Sequence, residues 1–300
     1  MQIINTKLRA SIINWLSQDV APTRKFPLSD FERIQYELRS CDVLLIEGRS
    51  RVSRAIQMIT QSPWTHAALY IGRFYDIVDP NLREHVQKHY MGEPDAQLIL
   101  ESVLGKGIIV SPLTAYQNEH IRICRPSGIS RQDAQAVIAY IINRLGMQYN
   151  MRQLLDLARF LFPWAILPRR WRSILFNHNT GSPTREICSS VIAEAFQSVD
   201  FPILPVFAQN EGENVTLVQR NPRLFTPSDF DYSPFFDIIK YPIIHLSGSA
   251  AYRHLPWKTN ALSDDDGKIY VKNTENTEEK AAEKVGNNPG KKTGTVDFFD

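Results

Sequence analysis

Three hundred residues, 43% hydrophobic and 22% charged, are enough to bury a sizeable core, which excludes wholesale disorder, collagen and a coiled coil. A net charge of +2, from 34 Lys+Arg against 32 Asp+Glu, is too balanced to point to nucleic acid. Three scattered cysteines, Cys41, Cys124 and Cys188, form no CxxC. Neither a disulfide framework nor a structural zinc site is expected, and the expected home is a reduced compartment, the cytoplasm.

No apolar run reaches the ~18–20 residues of a membrane span. Asn5, Lys7, Arg9 and Ser11 interrupt the first apolar stretch and no small-residue cleavage site follows, so a signal peptide is not expected. Residues 2–17 read as an amphipathic helix, with Ile4, Leu8, Ile12, Trp15 and Leu16 at helical spacing and Lys7 and Arg9 on the polar side. It either packs on the domain or lies on a membrane surface. Residues 1–37 form this helix and a linker; 38–257 are the principal domain.

Cys41–Ile46 is a compact apolar strand ended by Gly48, and Ser50–Thr60 is a helix. Ser62-Pro63 breaks the chain before a strand at Trp64–Ile71, in which His66, Ala68 and Tyr70 point to one side. Residues 74–95 read as a polar, irregular insertion. A strand follows at Gln97–Val103, with Gln97, Ile99 and Glu101 on one face, then a Gly105/Gly107 turn and short strands at Ile108–Val110 and Ile121–Cys124. Ser130 opens a helix over 132–145, and Gly146 stops it.

Residues 154–176 are greasy and aromatic, carry Arg169, Arg170 and Arg172, and are broken by Pro163 and Pro168. They are either core helices with a basic end or an interfacial, acyl-binding surface. Cys188–Ser198 is a helix. Proline-rich loops at Pro202 and Pro205 and late strands near 214–218 and 238–246 complete the domain. From Lys258 the chain holds seven lysines, nine acids and no Trp or Arg, the composition of a disordered charged tail, 258–300.

Cys188 stands just before Val191, Ile192, Ala195 and Phe196 on one helical face. A small buried hydrophobe is one reading. The other is a nucleophile, because the positive end of a helix dipole favours thiolate. A thiolate needs an imidazole, and the imidazole needs an orienting group. Of seven histidines, His66 alone lies well inside a good strand run, and Glu101 is a carboxylate within the next apolar strand, costly there unless paired.

Here the sequence resembles a family. The stretch from Cys41 to Arg73 is similar to the opening of the circularly permuted NlpC-type cysteine hydrolases. Their pattern is a G-D-apolar strand, a helix, a T-x-S-x-[WY]-[ST]-H turn and an apolar strand. The LES strand with Glu101, the GMQYN turn at 146–150, the ICSSVIAEAF helix and TPSDFDYSPFF at 226–236 fit as well, so the resemblance spans about 38–245. His66 precedes Cys188 by 122 residues, the order that permutation requires. The resemblance implies an α+β, permuted papain-like fold: a small antiparallel sheet or half-barrel packed on a Cys-bearing helix, with extra helices. It implies Cys188 as nucleophile, His66 as base, Glu101 as the group orienting the imidazole, and Tyr149 as an aid to the oxyanion. Cys41 departs from the pattern's Gly and Asn150 from its Asp.

The expected function is a thiol hydrolase that cleaves an amide (peptide, isopeptide or N-acyl) through an acyl-enzyme, with no cofactor and no metal. Its partner is a small-molecule, peptide or lipid-like acyl substrate, not nucleic acid. Two alternatives stand beside it. One is a lipid acyl hydrolase or acyltransferase touching a membrane through 2–17 or 154–176; the other is a non-catalytic binding protein on the same fold.

Overall fold

Five strands are laid down between residues 43 and 126, each short enough to pair with a neighbour made a few dozen residues away. They are β1 (Val43–Glu47), β2 (His66–Arg73), β3 (Gln97–Val103), β4 (Gly107–Pro112) and β5 (His120–Pro126). With β8 (Phe236–Ile239) they form a six-stranded sheet in the order β4-β3-β2-β1-β5-β8, every pair antiparallel. The fold is α+β. The computed structural model describes residues 11, 14–19, 27–103, 105–147, 188–209, 215–246, 248–258, 261–263 and 268–271. Tyr149, Asn150 and the 154–176 stretch lie outside them. Two compact units divide the chain, Met1–His245 and Leu246–Asp300, so the first ends before the 257 expected from composition.

In the first unit, both faces of the sheet are covered. Val43 and Leu45, Ala67 and Leu69, and Leu98 and Leu100 point into the larger core. There they meet α4 (Arg131–Ile142) through Val137, Ile138 and Ile141, and α5 (Ser189–Gln197) through Val191, Ile192, Ala195 and Phe196. On the other face Leu44, Ile46, Ala68, Tyr70, Ile99 and Ile123 pack with Ile34 of α1 (Phe31–Glu37). The central strands are therefore continuous apolar runs, as a strand buried on both faces requires.

Helix starts follow local capping chemistry. Asp30 accepts from Arg33 N–H, Ser50 caps α2 (Arg51–Thr60) and Ser130 caps α4 at Asp133 N–H. The 74–95 segment is not irregular, as its polarity suggested. Asp79 and Pro80 start α3 (Pro80–His89), which buries Val86 as its one anchor; a helix with so little apolar face leaves no periodic signal. Likewise α1 falls inside the residues read as linker, and β6 (Val206–Gln209), which pairs with β7 (Val215–Val218), inside those read as loop.

The end of β5 is locked to the start of β1. Asp42, 1% exposed, accepts from Arg125 Nε and Nη2 at 2.9 and 2.8 Å and from Arg39 N–H at 2.8 Å. Burial pushes the Asp42 carboxyl up, and these donors only partly offset it. Cys41, beside it, has φ of 77°, the left-handed region that glycine enters freely and other residues at about 1–2 kcal/mol. The resembled pattern has glycine at this position. Behind α5, Phe196, Phe230 and Phe236 pack edge-to-face at 5.3–5.6 Å. Phe230 belongs to α6 (Pro227–Tyr232), which Thr226 and Asp229 open with a capping box. The aromatic run near the chain's 230s therefore clamps the helix that follows Cys188.

In the second unit, a 3-10 turn at Ala251–His254 accepts Trp257 Nε1–H on Tyr252 O at 2.7 Å. The residues from 258 were read as disordered, but β9 (Ala261–Ser263) pairs with β10 (Ile269–Val271). Ile269-Tyr270-Val271 is a run of strand formers that the polar composition around it conceals. Among the described residues, no helix is long and apolar enough to cross a membrane.

Candidate active site

His66 opens β2, opposite Ile46 of β1. Alternation puts it on the face of Ala68, and Ala68 pairs with Glu101 of β3. Glu101 thus lies diagonally across from His66 on the same face, within reach of a ring. Its Oε2 is 2.6 Å from His66 Nε2. Cys188 is the N-cap of α5, and its thiol hydrogen-bonds the His66 side chain and the backbone N–H groups of Ala67 and Ser189. With Nε2 held by Glu101, Nδ1 is the ring nitrogen left for the sulfur.

The three residues named from sequence therefore meet. They form a chain running from a helix N-terminus through a strand imidazole to a carboxylate on the adjacent strand. Cys188 is 6% exposed, and Glu101 3%. Burial alone would raise the thiol; the His66 hydrogen bond and charge, with the two backbone donors, outweigh it and hold Cys188 below an ordinary thiol. Burial likewise pulls His66 down, but its bonds and charge interactions with Cys188 and Glu101 lift it to about 10. Glu101 is held below the usual carboxylate range, because donors from His66, Ser111 and Tyr116 overcome its burial. All three directions favour a thiolate–imidazolium pair backed by an ionised carboxylate. Cys41 and Cys124 are both buried and free, and burial drives both thiols upward. They are the inert cysteines of this chain.

Two contributors escaped the sequence reading. Tyr116, in a 3-10 turn after β4, donates its hydroxyl to Glu101 Oε2 at 2.6 Å, and Ser111 of β4 donates to the same carboxylate. A signal for Ser111 was present: it pairs with Ile99, so it shares the face of Glu101, and a buried carboxylate requires donors. Tyr149 lies outside the described residues.

A cavity of about 290 Å³ opens beside Cys188 and His66. Ile46, Val52, Ile56 and Val103 supply its apolar wall; its charged residues are Asp19, Arg49 and Glu119. Arg49 and Glu119 form an ion pair at 2.9 Å. Ser17 and Asp19 reach this wall because residues 14–19 dock on the start of α2. Leu16 is fully buried, Asp19 bridges to Ser50, and Arg51 donates to Trp15 O at 3.0 Å while its guanidinium lies 4.8 Å from the Trp15 ring. At least this end of the 2–17 segment packs on the domain. Replacing Arg51 with alanine removes one such anchor, about 1 kcal/mol, and should speed Cys188 labelling by a bulky fluorescein maleimide about fivefold relative to iodoacetamide. An unchanged ratio of the two rates would show that the arm does not screen the cavity.

No family model matches this chain, and no curated protein matches it. Among solved structures it is similar to the metalloprotein yiiX from Escherichia coli O157:H7, at 15% identity and a TM-score of 0.40, over 68% of this chain and 98% of that one. Among the described residues, no group of three or more His, Cys, Asp and Glu is placed to hold a metal ion.

Proposed function

We propose that this protein is a thiol-dependent hydrolase on a permuted papain-like fold, and that it cleaves an amide bond through an acyl-enzyme. The observation that carries the reading is the hydrogen-bonded chain Cys188–His66–Glu101, beside a cavity, at the N-terminus of α5. The motifs shared with the permuted NlpC-type hydrolases support the same reading.

In this scheme the Cys188 thiolate attacks the carbonyl carbon, and the carbonyl electron pair moves to oxygen. Backbone N–H groups in the first turn of α5 stabilise that oxyanion. The imidazolium of His66 gives its proton to the leaving amine as the C–N bond breaks. A thioester on Cys188 and a neutral imidazole remain. His66 then takes a proton from water, hydroxide adds to the thioester, and the acid leaves as the thiolate re-forms. Glu101 keeps the ring oriented and its charge compensated throughout.

Incubation with a panel of N-acyl nitroanilides, followed by mass spectrometry of the peptide holding Cys188, should show one acyl adduct and no mark on Cys41 or Cys124. If neither amides nor esters turn over or leave an adduct, and Cys188 labels no faster than the other two cysteines at pH 6.5, the hydrolase reading fails and a binding protein takes its place. A lipid acyl substrate is the second reading. It is favoured by the β6–β7 hairpin, where Phe207 and Leu217 are 70% and 58% exposed. Adducts from lipid esters, with none from soluble amides, would select it.

A further inference from the structure

We infer that Tyr116 is a positioning residue for the Cys188–His66 pair and acts through Glu101: its phenol keeps that carboxylate ionised and turned toward Nε2 of His66. The inference rests on the hydrolase reading and extends it to a residue outside the expected triad.

Glu101 is almost fully buried, and a carboxylate in such a place takes up a proton unless donors compensate it. Two of its three donors converge on one atom. His66 Nε2 and the Tyr116 hydroxyl both lie 2.6 Å from Oε2. Two donors at one oxygen, with Ser111 as the third donor to the carboxylate, fix the rotation of the carboxyl group. Tyr116 also lines the cavity, with its ring centroid 5.8 Å from that of His66 at a 32° tilt, so it flanks the imidazole as well as reaching past it. The other charged groups on this wall are Asp19 and the Arg49–Glu119 pair. Burial and the neighbouring carboxylate push the phenol well above its ordinary range, so it stays protonated and remains a donor.

Without the phenol, Glu101 loses a charge-assisted donor and protonates at higher pH. A protonated Glu101 no longer supports the imidazolium, and the thiolate loses its counter-ion. The acid limb of Cys188 reactivity should therefore move up by about one pH unit in Tyr116→Phe, about tenfold slower labelling on the falling part of that limb, with rates at pH 9 within about twofold of wild type.

The experiment is the pH profile of iodoacetamide labelling of Cys188 in the full chain, for wild type, Tyr116→Phe, Glu101→Gln and the double variant. The expected result is the shifted limb in Tyr116→Phe and no further loss on adding that change to Glu101→Gln. An unshifted profile, an equal loss at every pH, or an additional loss in the Glu101→Gln background overturns the inference. A second measurement needs no Tyr116 variant: wild type should show a slowly exchanging, low-field hydroxyl proton resonance that Glu101→Gln removes, and its absence also overturns the inference. If wild-type Cys188 labels like an ordinary thiol, it is the hydrolase reading that fails, and the hydroxyl resonance still judges the Tyr116–Glu101 contact.

Discussion

Replacing His66 with alanine should slow iodoacetamide labelling of Cys188 at pH 6.5 by about 10²-fold. A thiol of ordinary pKa, about 8.5, is only about 1% thiolate at that pH, whereas the His66 pairing, which holds Cys188 below an ordinary thiol, favours its charged form. The paired thiolate is somewhat less nucleophilic, with a Brønsted slope of about 0.4–0.5, which reduces the gap. Burial acts the other way. Once the imidazolium is gone, burial still raises the Cys188 thiol, opposed by the N–H groups of Ala67 and Ser189. The wild-type profile should stay flat well below the ordinary thiol range, and the variant should climb only through and above it. Cys41 and Cys124 serve as controls in the same digest. Equal rates for variant and wild type at pH 6.5 would mean that His66 is not the partner of Cys188.

The second large effect is on stability. Arg125→Ala strips Asp42 of both guanidinium contacts and leaves a buried carboxylate with the Arg39 N–H. Breaking a buried pair from one side costs about 3–5 kcal/mol. The sign of the pH dependence follows from Asp42, whose carboxyl already lies above its ordinary value. A carboxyl raised in the folded state binds its proton more tightly there than in the unfolded chain. Its contribution therefore favours folding at low pH and turns against it as pH rises from the ordinary carboxyl range through the raised value. Without the guanidinium the raise is larger. Denaturant titrations should show Arg125→Ala losing more stability at pH 8 than at pH 5. A loss below about 1 kcal/mol at pH 8 would show that this pair does not hold β1 to β5.

The sheet was legible wherever burial was two-sided or patterned. The strands at β1, β2, β3 and β5 are dense in Val, Ile and Leu, and the observed bounds differ from the expected ones by a few residues. The helix after Ser130 announced itself through its cap and stripe. What escaped notice had weak apolar faces: α1 with Ile34 as its one buried residue, α3 with Val86, and β6, β9 and β10, strands of three or four residues. At the site, Cys188, His66 and Glu101 were readable because each is an unlikely residue type for its place in an apolar pattern. Tyr116 was not. A tyrosine after a strand is unremarkable in sequence, and only the register that carries Glu101 beneath it makes the phenol a donor.

The order of the strands along the chain also sets when the site comes into being. His66, Glu101 and Tyr116 all lie within the segment that builds five neighbouring strands, whereas the nucleophile comes 122 residues after His66. At about 5–20 residues per second, a ribosome needs roughly 6–24 s to travel from one to the other. The imidazole, carboxylate and phenol can settle on the growing sheet during that interval, before the nucleophile has been made. Cys188 then enters a site already charged to receive it.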